Sequence, residues 1–314
     1  MGGVMAQKVC FSIVLIFVSI TTLFGCDATW RGYQIIMEQD DLDEIRGYTT
    51  ITGDLVIRES QLTDLSGLES LEHVGGDVWI GEEHPGYIGP NPALVSLRGL
   101  DNLKSIGGSL NIVGNEVLTS IEALGNLTSI GKNLQIRTNS LVHLNGLDNL
   151  TVVRRSVNIY SDSLTDISAL NNISRIGGVL ALGLEALDNW NAFENLKTVG
   201  GIHIADTPGL TNFALLGNLG TKRLSELTLL GNPSLTSLAG LEQITFIGNL
   251  QIDRNDALED LGLTGLNRVR DSFVIRDNTQ LCDYRVTGLQ DQVMSGGGIG
   301  GDIEISKNKD CSAP

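Results

Sequence analysis

Histidine, cysteine and paired carboxylates are the side chains that hold metals, attack carbonyl carbons or move protons. Their spacing here decides which of these chemistries is open to the chain. His73, His84, His143 and His203 stand far apart and at different points of the sequence pattern, with no short metal-ligand spacing among them. Solvated or locally bonded imidazoles are expected, with no metal and no other cofactor. Cys10 and Cys26 lie in and at the end of an apolar leader, and Cys282 and Cys311 lie near the other terminus. A single mature disulfide pair leaves no nucleophilic thiol. No phosphate-cradling loop and no G-x-S-x-G elbow occurs. The pair best suited to glycan chemistry is Asp253 with Arg276, one repeat apart in the same column. A β-helix lyase or hydrolase would align several carboxylates and a base on one face. With so few acids in that column, a cross-strand ion pair on a solvated sheet is the expected role. No catalytic residue is assigned.

The elements that position these residues come from an internal repeat. Short segments of alternating apolar residues recur, among them Leu55-Val56-Ile57, Leu110-Asn111-Ile112, Val157-Asn158-Ile159 and Phe273-Val274-Ile275. Eleven such rungs run from residue 53 to the end, about 23 residues apart. Period-two alternation predicts strands with one inward face. Each repeat carries two further apolar pairs, such as Leu118/Ile121 and Leu127/Ile130. A unit this short cannot bury three faces alone, whereas stacked coils bury them together. The fold predicted is an all-β solenoid, a right-handed parallel β-helix of leucine-rich-repeat-like coils with three short faces. Ten steps of about 4.8 Å give a rod roughly 50 Å long.

A polar column is expected three residues after each central apolar position: Ser60, Glu83, Asn115, Asn139, Asp162, Glu185, Thr207, Asn232, Asn255, Asn278 and Asn308. Asparagine at a corner bonds local backbone and tolerates left-handed geometry, so this ladder reads as structural. At the first end, Asp40 to Arg46 with Ile36, Leu42 and Ile45 at helical spacing reads as a capping helix. At the other, Val286, Leu289 and Val293 mark a second. Cys282 lies seven residues after Ile275 and Cys311 six after Ile305. These near-equivalent places on adjacent coils predict a Cys282–Cys311 disulfide.

Three organisational units follow: residues 1–25 as an export signal, 26–52 as linker and N-terminal cap, and 53–314 as the solenoid. The signal has one charge, Lys8, before an apolar run from Val9 to Leu23, short for a membrane span. Leu23-Phe24-Gly25-Cys26 resembles a bacterial lipobox, although Phe24 departs from the usual small residue there. The resemblance implies lipidation of Cys26 and a membrane anchor; ordinary cleavage near Gly25 would instead release a secreted protein. Either way the chain is expected to be exported.

The composition fits a solenoid: aromatic residues are 5%, and 38 glycines supply the turns. A formal charge of -16 argues against a nucleic-acid partner. Asn126, Asn149 and Asn172 stand in N-x-S/T sequons that repeat drift explains.

The pattern G-x-L-x-I-x-x-N-x-x-L-x-x-L-x-G-L-x-N-L-x-x-I-G-G, clearest at Gly108 to Asn133, resembles the receptor L-domain family. That is the leucine-rich-repeat-like module of the insulin and epidermal-growth-factor receptors, also found in exported bacterial and fungal proteins. The likeness covers roughly residues 33 to 311. It implies a non-enzymatic surface module that binds a protein or glycan. The receptors' cysteine-rich modules and kinase are missing here, so signalling is not implied. The outward row Val56, Trp79, Asn111, Gln135, Asn158, Ala181, His203, Thr228, Gln251, Val274 and Glu304 is the expected binding face, amide-rich and mostly uncharged. The main break in period, after Trp79, inserts residues 82–90. Insertions in solenoids often mark the binding side, so Trp79, His84 and Tyr87 are the candidate contacts. An ice-binding surface would need long threonine rows, which the sequence pattern does not suggest. A glycan-processing β-helix enzyme and a purely structural envelope protein are the alternatives.

Overall fold

The computed structural model describes residues 28–81 and 89–311. The chain is a parallel β-solenoid of about ten turns with a period near 23 residues and, among the described residues, two α-helices. Every one of the eleven alternating segments forms a strand of one long parallel sheet, from Leu55–Ile57 to Ile303–Ser306. The register keeps apolar over apolar: Leu110, Leu134, Val157 and Leu180 pair in succession, as do Ile112, Ile136, Ile159 and Leu182. All eight are fully buried. A one-residue slip would expose the whole inward set, so hydrophobic burial itself fixes the pairing.

The third apolar pair of each repeat ends in a two-residue strand. His73–Val74, Ser105–Ile106, Ser129–Ile130, Val152–Val153 and Arg175–Ile176 stack into a second sheet. The middle pair builds no continuous sheet. It is held by single bridges such as Ser96↔Ser120 and His143↔Asp166, with 3-10 turns at Glu122–Leu124, Ser168–Leu170 and Ala214–Leu216. Between these faces the chain turns where no side chain fits. Gly99 has φ +110°, and a Cβ there would stand 2.0 Å from Leu65 O, so alanine is excluded without moving backbone.

The first end differs from the sequence expectation. Gln34–Ile36 is a further rung, pairing in parallel with Leu55–Ile57. Ile36 is therefore an inward strand residue over Ile57 and not part of a helix. Helix α1 spans only Gln39–Glu44, with Leu42 and Ile45 buried. Between strand and helix the Asp41 carboxylate accepts the Met37 and Glu38 N–H groups, at 2.8 and 3.0 Å, and so turns the chain. The apolar spacing Ile36–Leu42–Ile45 misled because both elements bury residues on one side of the same coil.

The other end follows expectation. Helix α2, Asp283–Ser295, buries Val286, Leu289 and Val293. Gln292 Nε2 donates to Leu263 O and Leu266 O, satisfying carbonyls that the helix covers. Cys282 and Cys311 form the disulfide, with Cα atoms 5.4 Å apart.

The polar column exists but is offset from the expected one through several coils. Its fully buried members are Ser60, Asn91, Asn115, Thr207, Asn232, Asn255 and Asn278, with Thr138 and Ser161 nearly so and Leu184 in line between them. Asn139 and Asp162 instead lie exposed beside it. The cause is one backbone residue. Glu59, Gly114, Asp206, Gly231, Arg254, Asp277 and Lys307 have positive φ immediately before a ladder position. In the coils of Thr138, Ser161 and Leu184 no residue there adopts positive φ, and the ladder residue comes one position earlier. Glu83 lies outside the described residues, and Asn91, after the insertion, fills that step. Where asparagine is present it bonds to the coil before it: Asn255 Nδ2 donates to Leu229 O at 3.1 Å while its Oδ1 accepts the Asn232 N–H at 3.1 Å.

A second ladder runs along another corner. Asn126, Asn149 and Asn172 each donate Nδ2 to a carbonyl of the preceding coil, at 2.6 to 2.7 Å, and Asn102 does the same. The sequon asparagines are thus structural donors at a repeated corner.

Candidate functional site

The outward row of the long sheet is in register as expected. Val56, Trp79, Asn111, Gln135, Asn158, Ala181, His203, Thr228, Gln251, Val274 and Glu304 pair step by step. Close parallel pairing puts these side chains side by side: six are half-buried and Glu304 is exposed, while Val56, Asn111, Ala181 and Thr228 are buried outright. Trp79, in the strand Val78–Gly81, is half-exposed between Val56 and Asn111. His84 and Tyr87 lie outside the described residues, as does Cys26.

The neighbouring column carries the residues with most electrostatic character. Arg137 stands 5.6 Å from the Tyr160 ring centroid. Burial pushes the Tyr160 hydroxyl up and the Arg137 charge partly opposes it. The Tyr160 ring lies across Gly183, where a Cβ would meet it at 2.8 Å. Further along, Arg276 joins Asp253 and Glu304: Nε donates to Asp253 Oδ2 at 3.0 Å and Nη1 to Glu304 Oε1 at 2.9 Å. Hydrogen bonds to Glu304 first, then to Asp253, raise the Arg276 pKa further. The Asp253 side chain is only 3% exposed. Its Oδ2 is held by Arg276, while its buried Oδ1 has no hydrogen bond among the described residues and lies 3.4 Å from Arg254 Nε.

The other titratable groups are separated by the fold. His73 Nδ1 lies 2.8 Å from Ser105 Oγ on the second sheet, His143 bridges to Asp166 on the middle face, and His203 sits on the long sheet. Asp166 is lowered chiefly because its carboxylate accepts the Ser168 backbone N–H, two residues on, in the turn that leads into Ser168–Leu170. Asp64, whose carboxylate accepts the Ser66 N–H, is lowered through its bonds to Ser66. Among the described residues no three His, Cys, Asp or Glu side chains gather as metal ligands. Two shallow cavities open on the described surface. One of about 370 Å³ is lined by Glu194, Asn195, Lys197, Asn218 and Gly220. The other, about 260 Å³, is lined by Gly114, Glu116, Arg137, Thr138 and Asn139.

Two features escaped the sequence reading. The middle face does carry an aligned threonine–valine row. Thr119 N–H donates to Val95 O, Thr165 N–H to Val142 O and Thr236 N–H to Thr211 O. Its hydroxyls are turned onto the backbone: Thr165 Oγ1 donates to Val142 O and Thr236 Oγ1 to Thr211 O, both at 3.2 Å. The second feature is a segregation of positive charge along the end of the second sheet and the long-sheet strand starts that follow it, hidden in the sequence because the acids of the other faces outweigh it.

The chain matches no protein-family model, and no curated protein matches it significantly.

Proposed function

We propose that this chain is a non-enzymatic, exported binding module of the receptor L-domain type, anchored through a lipidated Cys26, that presents its long sheet to a protein or glycan. The observation that carries this reading is the sheet face itself: a register-true row in which the amides of Gln135, Asn158 and Gln251 are partly exposed beside Trp79 and His203. Amides offer both donor and acceptor at fixed spacing, which suits recognition of hydroxyl-rich or main-chain partners. The repeat pattern supports the receptor L-domain likeness, and the half-exposed Trp79 at one end supplies an apolar plate next to the insertion. The enzymatic alternative is disfavoured by the clamped state of Asp253.

Screening the mature chain against arrays of glycans and surface proteins tests the reading. Trp79→Ala and deletion of residues 82–90 are expected to reduce captured signal at least about tenfold, since a central aromatic contact is typically worth 2 kcal/mol or more. Binding undiminished in both variants would remove Trp79, His84 and Tyr87 as the contact site. Mass spectrometry of the intact mature chain tests the anchor. The expected mass begins at a diacylated or triacylated Cys26 and is two hydrogens lighter for the disulfide; an unmodified chain would make the protein secreted.

A further inference from the structure

The solenoid face that begins as the second sheet, and after Arg175–Ile176 continues through a bridge at Thr198 into the starts of long-sheet strands, divides into two electrostatic halves. In the first, cations are neutralised across rungs: Lys104 Nζ meets Glu72 at 2.6 Å and Lys132 Nζ meets Asp77 at 3.2 Å. In the second the pattern changes. Segments 151–156, 174–178, 197–201, 220–225, 245–248 and 267–269 belong to successive coils and contain no Asp or Glu. They carry Arg154 and Arg155, then Arg175, then Lys197, then Lys222 and Arg223, and, after one uncharged rung, Arg268. All are exposed, and none makes an ion pair among the described residues. The register confirms the stacking: Val152 pairs with Arg175, Arg175 bridges to Thr198, and Arg223, Phe246 and Arg268 follow one another. The Arg223 guanidinium lies 3.8 Å over the Phe246 ring, which holds it in place on the surface. Arg270, next in line, is neutralised by Asp271.

A chain of net charge -16 that leaves seven unpaired cations in one acid-free strip has a local field opposite to its overall one. Screening over about 8 Å at physiological salt lets that strip act independently of the acidic faces. Five steps of about 4.8 Å make it roughly 24 Å long. From these observations we infer that this strip, which starts on the last rungs of the second sheet and continues over the leading residues of long-sheet strands Arg223–Leu230, Phe246–Asp253 and Arg268–Val269, binds a linear acidic polysaccharide of the polyuronate class, laid along the solenoid axis. The strip is only a few residues wide, fitting one extended chain, and its rung spacing is comparable to the advance of one pyranose unit. Beside Lys197 the 370 Å³ cavity adds the amides of Asn195 and Asn218 for sugar hydroxyls; Glu194, just outside the acid-free segments, lines it too and disfavours a uronate carboxylate at that one position.

Polygalacturonate immobilised on a sensor surface tests this with the full mature chain. Binding is expected at low salt and falls by about two orders of magnitude between about 50 and about 200 mM salt, as for a ligand engaging several cations. Arg154→Gln/Arg175→Gln/Arg223→Gln is expected to weaken it at least tenfold, with an unchanged circular dichroism spectrum. Lys307→Gln/Lys309→Gln, a comparable charge change at the far end, leaves it within twofold. No binding at low salt, or equal loss in both variants, overturns the inference. Vesicles of phosphatidylglycerol and phosphatidylcholine, or single-stranded DNA, bound as tightly as polygalacturonate would overturn the polysaccharide assignment. Trp79→Ala leaves this binding unchanged, so its failure and that of the long-sheet reading are separable.

Discussion

Replacing Asn255 by alanine lowers the stability of the protein by about 3–5 kcal/mol, while Asn139→Ala, at the place the sequence pattern treats as equivalent, costs about 0.5 kcal/mol. The difference lies in burial and partners. Asn255 is fully buried; its Nδ2 donates to Leu229 O and Asp253 O, and its Oδ1 accepts from the Asn232 N–H. Alanine takes the side-chain partner from Leu229 O and from the Asn232 N–H, while Asp253 O keeps the Gly231 N–H; each buried orphan costs about 1–3 kcal/mol. Asn139 is exposed, and water replaces its bonds to Asp162. Asn255→Thr is expected to recover about half of the loss. In its own coil Thr207 accepts the Leu184 N–H through Oγ1 but donates only locally, to Ala205 O. Urea unfolding gives the energies, and hydrogen exchange places the loss in the coils of Asn232 and Asn255, since repeat arrays need not unfold as one unit. Equal effects at Asn255 and Asn139 would refute the ladder offset.

The second large effect is at the far end. Cys282→Ser/Cys311→Ser removes a cross-link between residues 29 apart. Chain entropy puts its contribution near 3–4 kcal/mol. The loss is local because the last strand, Ile303–Ser306, has a neighbour on one side only. Ile303 is 42% exposed, so hydrophobic burial holds this rung weakly. Limited proteolysis of the variant is expected to cut around Gly296-Gly297-Gly298 and release the last rung, with coils before Phe273 still protected from exchange. Unchanged cleavage and exchange would show that α2 alone closes the end.

The architecture was legible because the 23-residue period repeats one solution to one problem: three apolar faces too small to stand alone. The disulfide was legible for the same reason, as two cysteines at nearly equal phase. What was lost came from single-residue events that a fixed phase does not register. The left-handed residue at Arg254 or Asp277, missing before Thr138, moves the ladder by one position. Ile36 sat at helical spacing to Leu42 although it stacks on Ile57. The positive strip escaped because whole-chain charge averages over faces that the fold keeps apart. Trp79 was placed on the outward row, yet a row alone does not name its ligand.

The buried asparagine ladder also has a direction. Each asparagine completes the corner of the coil before it, supplying a donor to its carbonyl and an acceptor to its N–H, as Asn278 does for Asn255 and Asn308 for Asn278. Several also bond a carbonyl of their own coil, as Asn278 does to Arg276 O, but the corner N–H groups of Asn255 and Asn278 are met from the following coil. In a chain emerging amino end first, such a corner is therefore complete only when the next coil arrives. The unfinished corner is passed along to the carboxyl end, where the covalent cross-link waits as the stop.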